Sequence, residues 1–357
     1  MADTRKRRSG RTPLIWLAQG AITLALIGWL VNRVDYSTIA TVKSVSIPTF
    51  FIAVLVYSLS QFCCAARLRM LISIGETLPE LPRLFYVVKL TLSTYFISNF
   101  LPGTIGGDAV KVFALTRRAV PLARAVSTLL LDRLTNMAAA VGLSVVTIAI
   151  AAPDLLARLR INPLFPLALI FLLGGAIAGL ALLARLSNSV AYIGKALREI
   201  ALSWLRSPPI LIAALVLSIA SILTAIGAQW IFASGLNVPA NPLQLTAVIC
   251  LVYLVTLAPI TLNGIGLQEV TTVVLLEQLG TQKSIAVSFA LLTRLMILAL
   301  SVLGAAVTAT DRKLYTDLRQ GPVRSAQSRF LGMLQQSPVT KRLVEFLPFA
   351  REPRPRR

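Results

Sequence analysis

The sequence contains no histidine and only 14 acidic residues among 357. Without an imidazole it has no Ser/His/Asp triad, no His-based metal site and no histidine general base. Its three cysteines, Cys63, Cys64 and Cys250, lie inside apolar runs, with neither zinc spacing nor the pattern of a secretory disulfide framework. Charge is scarce: 14% of residues are charged and 56% are hydrophobic, with mean hydropathy +0.77. A soluble domain carries about 25% charged residues. These deficits exclude an ordinary soluble enzyme and describe an all-α polytopic membrane protein.

The charge that is present is lopsided, 35 Lys+Arg against 14 Asp+Glu, for a net +21. Its placement decides what it means. Arg5, Lys6, Arg7, Arg8 and Arg11 precede the first apolar run, and eleven basic residues follow position 310. Further clusters are Arg67/Arg69/Arg83, Arg117/Arg118/Arg124 and Arg185/Lys195/Arg198/Arg206. Basic-poor stretches alternate with them: 32–48 with Arg33 and Lys43, 152–163 with Arg158 and Arg160, and 235–242 with none. That alternation is the positive-inside pattern and places both termini in the cytoplasm of a cell (inner) membrane protein. No basic stretch is interleaved with aromatics, which excludes single-strand nucleic acid as a partner. The 18 apolar residues at 14–31 exceed a signal-peptide core, and no small-x-small cleavage site follows, so they read as the first span.

Apolar windows at 14–31, 50–66, 125–152, 164–184, 210–235 and 285–308 can each cross a hydrocarbon core of about 30 Å. Two further regions are interrupted. Residues 84–101 carry Lys89 and run into Pro102, Gly103, Thr104, Ile105, Gly106, Gly107 and Asp108. Residues 243–262 run into Asn263, Gly264, Ile265, Gly266, Leu267, Gln268 and Glu269. Pro and Gly clusters end helices, and a break at membrane depth is tolerated only where protein or water surrounds it. The expected architecture is six spanning helices plus two re-entrant or broken helical hairpins, at 84–118 and 243–279, or eight spans if the hairpins cross. The parts are a basic N-terminus 1–13, a first membrane half 14–152, a second half 153–309 and a basic tail 310–357.

A shift that places Gly103 on Gly264 also places Asp108 on Glu269, Ser127 on Ser288, Leu130 and Leu131 on Leu291 and Leu292, and Arg133 on Arg294. Each half then reads broken hairpin, acidic residue, span with one arginine. With three spans per half the second copy is expected upside down, as in the inverted repeats of transporters.

Charged groups at a helix centre cost roughly 2.5–3.5 kcal/mol on insertion scales. Lys89, Asp132, Arg133 and Arg294 nonetheless sit in apolar sequence, with Asp108, Lys111, Glu269 and Glu277 in the short helices. Three readings remain open. The acids and arginines pair as buried structural bridges, or the acids satisfy their own helix dipoles, or the groups line a site for a phosphate-bearing headgroup. In the last reading Gly103, Gly106 and Gly107 let backbone approach a ligand. Lys111 shares a face with Asp108, and Arg133 and Arg294 clamp a phosphate. Asn99 and Asn263 flank the breaks as caps or as headgroup donors. The candidate site is therefore Asn99, Pro102, Gly103, Gly106, Gly107, Asp108, Lys111, Asp132, Arg133, Asn263, Gly264, Gly266, Glu269 and Arg294, with no metal and no cofactor. The Gly-Thr-Ile-Gly-Gly run lacks the Gly-Lys-Ser/Thr of a nucleotide loop, which argues against ATP-driven transport.

Three runs carry a resemblance: Ser98 to Asp108, Leu131-Asp132-Arg133-Leu134, and Asn263 to Glu269. They resemble the transmembrane region of the lysylphosphatidylglycerol synthase family over residues 14–310, with Leu262-Asn263 replacing the family's Pro-Gly-Gly-like form before Gly264. In full-length members a cytosolic domain transfers lysine to phosphatidylglycerol and the membrane domain moves the product between leaflets. The resemblance implies lipid movement without aminoacylation, since 48 residues after the last span are too few for a transferase domain. Stand-alone members are linked to phospholipids, hopanoids and polyprenyl-linked sugars. The alternative reading is a membrane enzyme for glycosyl or aminoacyl transfer, or an accessory subunit of a separate lipid-modifying enzyme. The expected partners are membrane lipids. Val190, Ile193, Leu197, Ile200 and Trp204 predict an amphipathic surface helix, and the tail, at +7, is expected to adhere to anionic lipid.

Overall fold

In lipid a chain must satisfy its backbone internally, so helices form wherever caps and prolines let them start and stop. The computed structural model describes residues 11–74, 81–98, 105–159, 207–256 and 261–311. Among them are ten α-helices and no strand. These are α1 (Arg11–Val31), α2 (Tyr36–Ser44), α3 (Ile47–Ile72), α4 (Leu84–Ser98), α5 (Ile105–Thr116), α6 (Leu122–Leu159), α7 (Pro208–Gly235), α8 (Pro242–Thr256), α9 (Leu267–Gln278) and α10 (Lys283–Thr310). A 3₁₀ turn, Leu262–Gly264, lies between α8 and α9.

Among the described residues four helices are long and apolar enough to cross a membrane: α3, Arg124–Thr147 of α6, α7 and α10. At 1.5 Å per residue the 26 residues of α3 reach about 39 Å. Proline occupies the first turn of α3 and α7, where its missing N–H is no loss. The expected span 164–184, the surface helix at 190–204 and the tail past residue 311 lie outside the described residues.

Three features differ from the expectation, one being that α6 continues past residue 152 to Leu159, into a stretch expected as a loop. Another is that 32–48 is not a plain loop. Asp35 accepts the Thr38 amide (2.9 Å) and hydroxyl (2.8 Å) and the Ser37 hydroxyl (2.7 Å), and so starts α2. The third is that α3 runs to Ile72 rather than stopping near residue 66. Arg67 and Arg69 are therefore helical residues and not members of a loop cluster.

Helix ends sort into two faces. At one, Arg124 donates to the Ile74 carbonyl (2.5 Å), the Tyr86 hydroxyl to the Ala114 carbonyl (3.4 Å), and Lys89 pairs with Asp311 (2.8 Å). These contacts gather the end of α3, the start of α4, the end of α5, the start of α6 and the end of α10. At the opposite face, Arg33 pairs with Glu277 (2.5 Å), and the Ser288 hydroxyl donates to the Thr38 carbonyl (3.1 Å). These join the end of α1 to the end of α9, and α2 to the start of α10. The α4–α5 hairpin thus returns to the face it left, and the α8–α9 hairpin opens at the other.

The long helices α3 and α7 lie against each other, with the Ser60 and Ser221 hydroxyls 3.2 Å apart. The first limb of each hairpin packs on a long helix from the other half, α4 on α10 and α8 on α6. The main apolar core lies around α8, α9 and α10, with Phe232, Phe289, Leu245, Leu276 and Met296 fully enclosed. Phe51, Leu55, Leu59 and Phe62 form an outward stripe on α3, the surface a lipid-facing helix presents.

The α4–α10 seam is close because Gly304 has no side chain. A Cβ there would lie 2.1 Å from the Leu92 carbonyl oxygen. Gly304→Ala is expected to lower the melting temperature in detergent, costing about 1–3 kcal/mol through overpacking. Gly142→Ala, with open space around it, is expected to leave stability unchanged or raise it. A second expectation concerns Asp35. The Ser37 hydroxyl, then the Thr38 amide and hydroxyl, hold its carboxyl at about 2, below the usual 3.8. A depressed folded value makes the cap's contribution complete above 3.8 and lost as pH falls through 2. Exchange protection of the Thr38 amide should be level from about pH 7 to about pH 5, and should fall below about pH 3.

Candidate functional site

Asp108 lies in the first turn of α5 and Arg133 eleven residues into α6. The Arg133 Nε donates to Asp108 Oδ2, and Lys111 Nζ lies 3.9 Å from Oδ1. The hairpin tip is thereby tied to the long helix that follows it. Gly107 lets the two limbs close: a Cβ there would stand 2.1 Å from the Ser98 hydroxyl. The three charged side chains stay partly open, Arg133 at 33%, Asp108 at 24% and Lys111 at 18%.

The second hairpin repeats the pair. Arg294 donates through Nε to Glu269 Oε1, with Nη2 3.4 Å from Gln268 Oε1 and 3.5 Å from the Gly264 carbonyl. The other Glu269 oxygen accepts the Gly266 amide (2.7 Å), capping α9. Acid and arginine are 25 positions apart in both hairpins. Asn263, Gly264 and Gly266 have φ of 50°, 73° and 83°. Asparagine and glycine are the residues that take this left-handed region readily. Gly266 also lets α1 approach: a Cβ there would lie 2.6 Å from Leu26 Cβ. This pair is closed, with Arg294 at 13% and Glu269 at 4% exposure.

A third charged group joins the interior, one that the apolar patterning does not announce. Arg67 donates to Asp132 (2.6 Å), Asn136 (2.8 Å) and Ser218 (2.8 Å), linking α3 to α6 and α7. Asn136 donates onward to the Tyr253 hydroxyl of α8. Asp132 therefore faces Arg67, not the hairpin that its neighbour Arg133 holds. Nearby, the hydroxyls of Tyr57 and Tyr95 are 2.6 Å apart, joining α3 to α4. The available signal for Arg67 is the apolar spacing of Leu68, Leu71 and Ile72 beyond it, which continues the helix.

Of the candidate residues, Asp108, Lys111 and Arg133 come together, with Gly106 and Gly107 in the same first turn of α5. Glu269, Arg294, Gly264 and Gly266 form the second group around Asn263. Asn99, Pro102 and Gly103 lie outside the described residues. Lys89 and Glu277 belong to the two faces, each in an ion pair there, and Lys89 also sits 5.0 Å from the Phe85 ring centre. Among the described residues no group of three His, Cys, Asp or Glu is placed to hold a metal.

Removing one member of a buried pair leaves an uncompensated charge, at about 3–5 kcal/mol. Arg67→Met is expected to lose stability on that scale in denaturant titrations of the detergent-solubilised protein. Arg67→Met combined with Asp132→Leu is expected to regain most of the loss, because no charge is then left alone. A double variant as unstable as the single one contradicts this account of the pair.

No curated protein matches the chain. The family described as the lysylphosphatidylglycerol synthase TM region matches residues 16–304. That match spans most of the sequence and every element carrying the two hairpin ion pairs. The chain is an all-helical membrane protein and belongs to the lysylphosphatidylglycerol synthase transmembrane-region family.

Proposed function

We propose that this protein is a lipid flippase: it moves an anionic, phosphate-bearing lipid (a phospholipid, a hopanoid or a polyprenyl-linked lipid) between the leaflets of the cell membrane and is not itself an enzyme. The observation that carries the reading is the pair of re-entrant hairpins opening at opposite faces, each with an arginine–carboxylate pair at its tip. Ionised groups held within a bundle at membrane depth mark substrate pathways. Broken helices related by an inverted repeat are how transporters build a midplane site.

The inverted-repeat reading is supported by spacing. Ser60 and Ser221, which meet between α3 and α7, are 161 positions apart. Asp108 and Glu269 are the same distance apart, as are Arg133 and Arg294. A pseudo-two-fold axis between α3 and α7 then exchanges the two hairpins. In this mechanism a headgroup phosphate takes over the guanidinium of Arg133 from Asp108, since a planar guanidinium binds either oxyanion through paired N–H donors. Reorientation of one half about the α3–α7 contact carries the headgroup past the bilayer centre while the acyl chains stay in lipid.

Orientation follows from charge. The face where α3 ends carries Arg69, Arg83, Arg117, Arg118 and Arg124, whereas the opposite face has Arg33, Lys43 and Lys283 beside Asp35 and Glu277. By the positive-inside rule the first face is cytoplasmic, which puts both termini there.

The test is leaflet accessibility of fluorescent phosphatidylglycerol in proteoliposomes containing only this chain. Label should reach the second leaflet faster than in protein-free vesicles, unchanged in chemistry. Arg133→Gln should slow the movement at least about tenfold, the scale of one lost charge-assisted contact. Rates equal to protein-free vesicles, or a chemically altered lipid, overturn the reading; the second result would indicate an enzyme.

A further inference from the structure

We infer that α2 is a lipid-interface helix: its exposed strip of Tyr36, Ile39 and Lys43 docks on the anionic headgroup layer of the leaflet at its own face. The inference does not depend on lipid translocation.

Helix α2 stands between the end of α1 and the start of α3, at the face where Arg33 meets Glu277. Its nine residues are too few to hold a helix in isolation, so its flanks matter. One flank is protein. Thr38 is fully enclosed, and its carbonyl accepts the Ser288 hydroxyl of α10 (3.1 Å). Successive helical positions turn by about 100°, which gathers Tyr36, Ile39 and Lys43 into a strip about 60° wide, on the side away from Thr38. Ser37 and Ser44 lie about 100–120° round from Lys43.

Exposure, continuity and charge assign the strip to lipid. Tyr36 is 87% and Ile39 47% exposed. Ile47, which opens α3, is exposed as well and leads at intervals of four into Phe51 and Leu55, the outward stripe of that helix. The apolar side chains of α2 thus adjoin a surface that lipid already covers. The exposed charge of α2 is Lys43, and Lys283 stands exposed at the start of the helix it packs on. Neither makes an ion pair among the described residues. The Asp35 carboxyl is engaged by Ser37 and Thr38 at the start of α2. A layer of phosphates complements two such lysines. Tyrosine and lysine are also the residues that rest an apolar body in the acyl region and reach headgroups with a polar tip. Because α2 is fastened to α10, which carries Arg294, its seat in the leaflet sets the depth of the helix that holds the second hairpin.

Spin labels at Ile39→Cys and Ser44→Cys test this in the full chain carrying Cys63→Ala, Cys64→Ala and Cys250→Ala, reconstituted in vesicles of phosphatidylglycerol and phosphatidylcholine. The quantity read is the collision rate with oxygen, which concentrates in lipid, divided by that with a water-soluble nickel chelate. The ratio at position 39 is expected to exceed that at 44 by at least about threefold, since one side of an interfacial helix is in lipid and the other in water. Adding Lys43→Glu should lower the ratio at 39 by at least about twofold, because the anionic layer then repels the strip. Equal ratios at 39 and 44, or a ratio at 39 that Lys43→Glu leaves unchanged, overturn the inference. If the cysteine-free chain does not fold, Tyr36→Trp is placed in the native chain and its fluorescence is read as the difference from wild type. Phospholipid brominated near the top of its acyl chains should quench that signal and aqueous iodide should not; the reverse overturns the inference.

Discussion

A guanidinium and a carboxylate that cannot reach water must find each other, and that requirement fixes the interior of this membrane protein. A half-helix that stops within a bilayer exposes backbone groups and carries a charged side chain at its tip. Here each tip is tied to the long helix that follows it, Asp108 to Arg133 and Glu269 to Arg294. The identical spacing is a consequence of geometry. An acid in the first turn of the returning limb and an arginine three turns into the next helix lie at about the same depth when the two run antiparallel. Breaking the enclosed Glu269–Arg294 tie would leave a lone ion in low dielectric, whereas Asp108 and Arg133 stay partly open.

Within this repeated frame the two cross-half seams have different chemistry. Between α4 and α10, Gly304 brings helix against backbone with no side chain between them. Between α6 and α8 the contact includes Asn136 and Tyr253, and through Asn136 it reaches Arg67, Asp132 and Ser218. Among the described residues of the second half no such chain is repeated: the positions equivalent to Arg67, Asp132 and Asn136 are Ala228, Thr293 and Ile297. One seam is therefore closely fitted at Gly304 and the other carries a buried polar chain. The polar seam reaches α3 and α7 through Arg67 and Ser218, beside the contact about which the proposed reorientation turns.

Both hairpins are legible in the sequence, because Pro-Gly and Asn-Gly interruptions of apolar runs have few physical explanations at membrane depth. Their limbs are α4 and α5, Leu84–Ser98 and Ile105–Thr116, and α8 and α9, Pro242–Thr256 and Leu267–Gln278. Asp108, Arg133, Glu269 and Arg294 are conspicuous for the same reason: charge in such surroundings must be compensated. Arg67 is hidden because it stands near the end of an apolar run, where an arginine reads as a loop residue marking the membrane surface. Helix α2 is hidden because nine residues with little apolar content carry no periodic signal. Its Asp35 cap is visible in sequence only once a helix is suspected.

Composition and patterning alone determined that this chain lives in a membrane, that it is helical, and that two helices break. Hydrophobic length and glycine placement are local properties, and lipid leaves them few outcomes. Tertiary structure alone decided which charges meet. Asp132 and Arg133 are adjacent in sequence, yet successive helical positions point about 100° apart, so one serves Arg67 and the other Asp108. Pairing, unlike span length, depends on which helix lies alongside, and α3 comes to α6 only through the packing of the whole bundle.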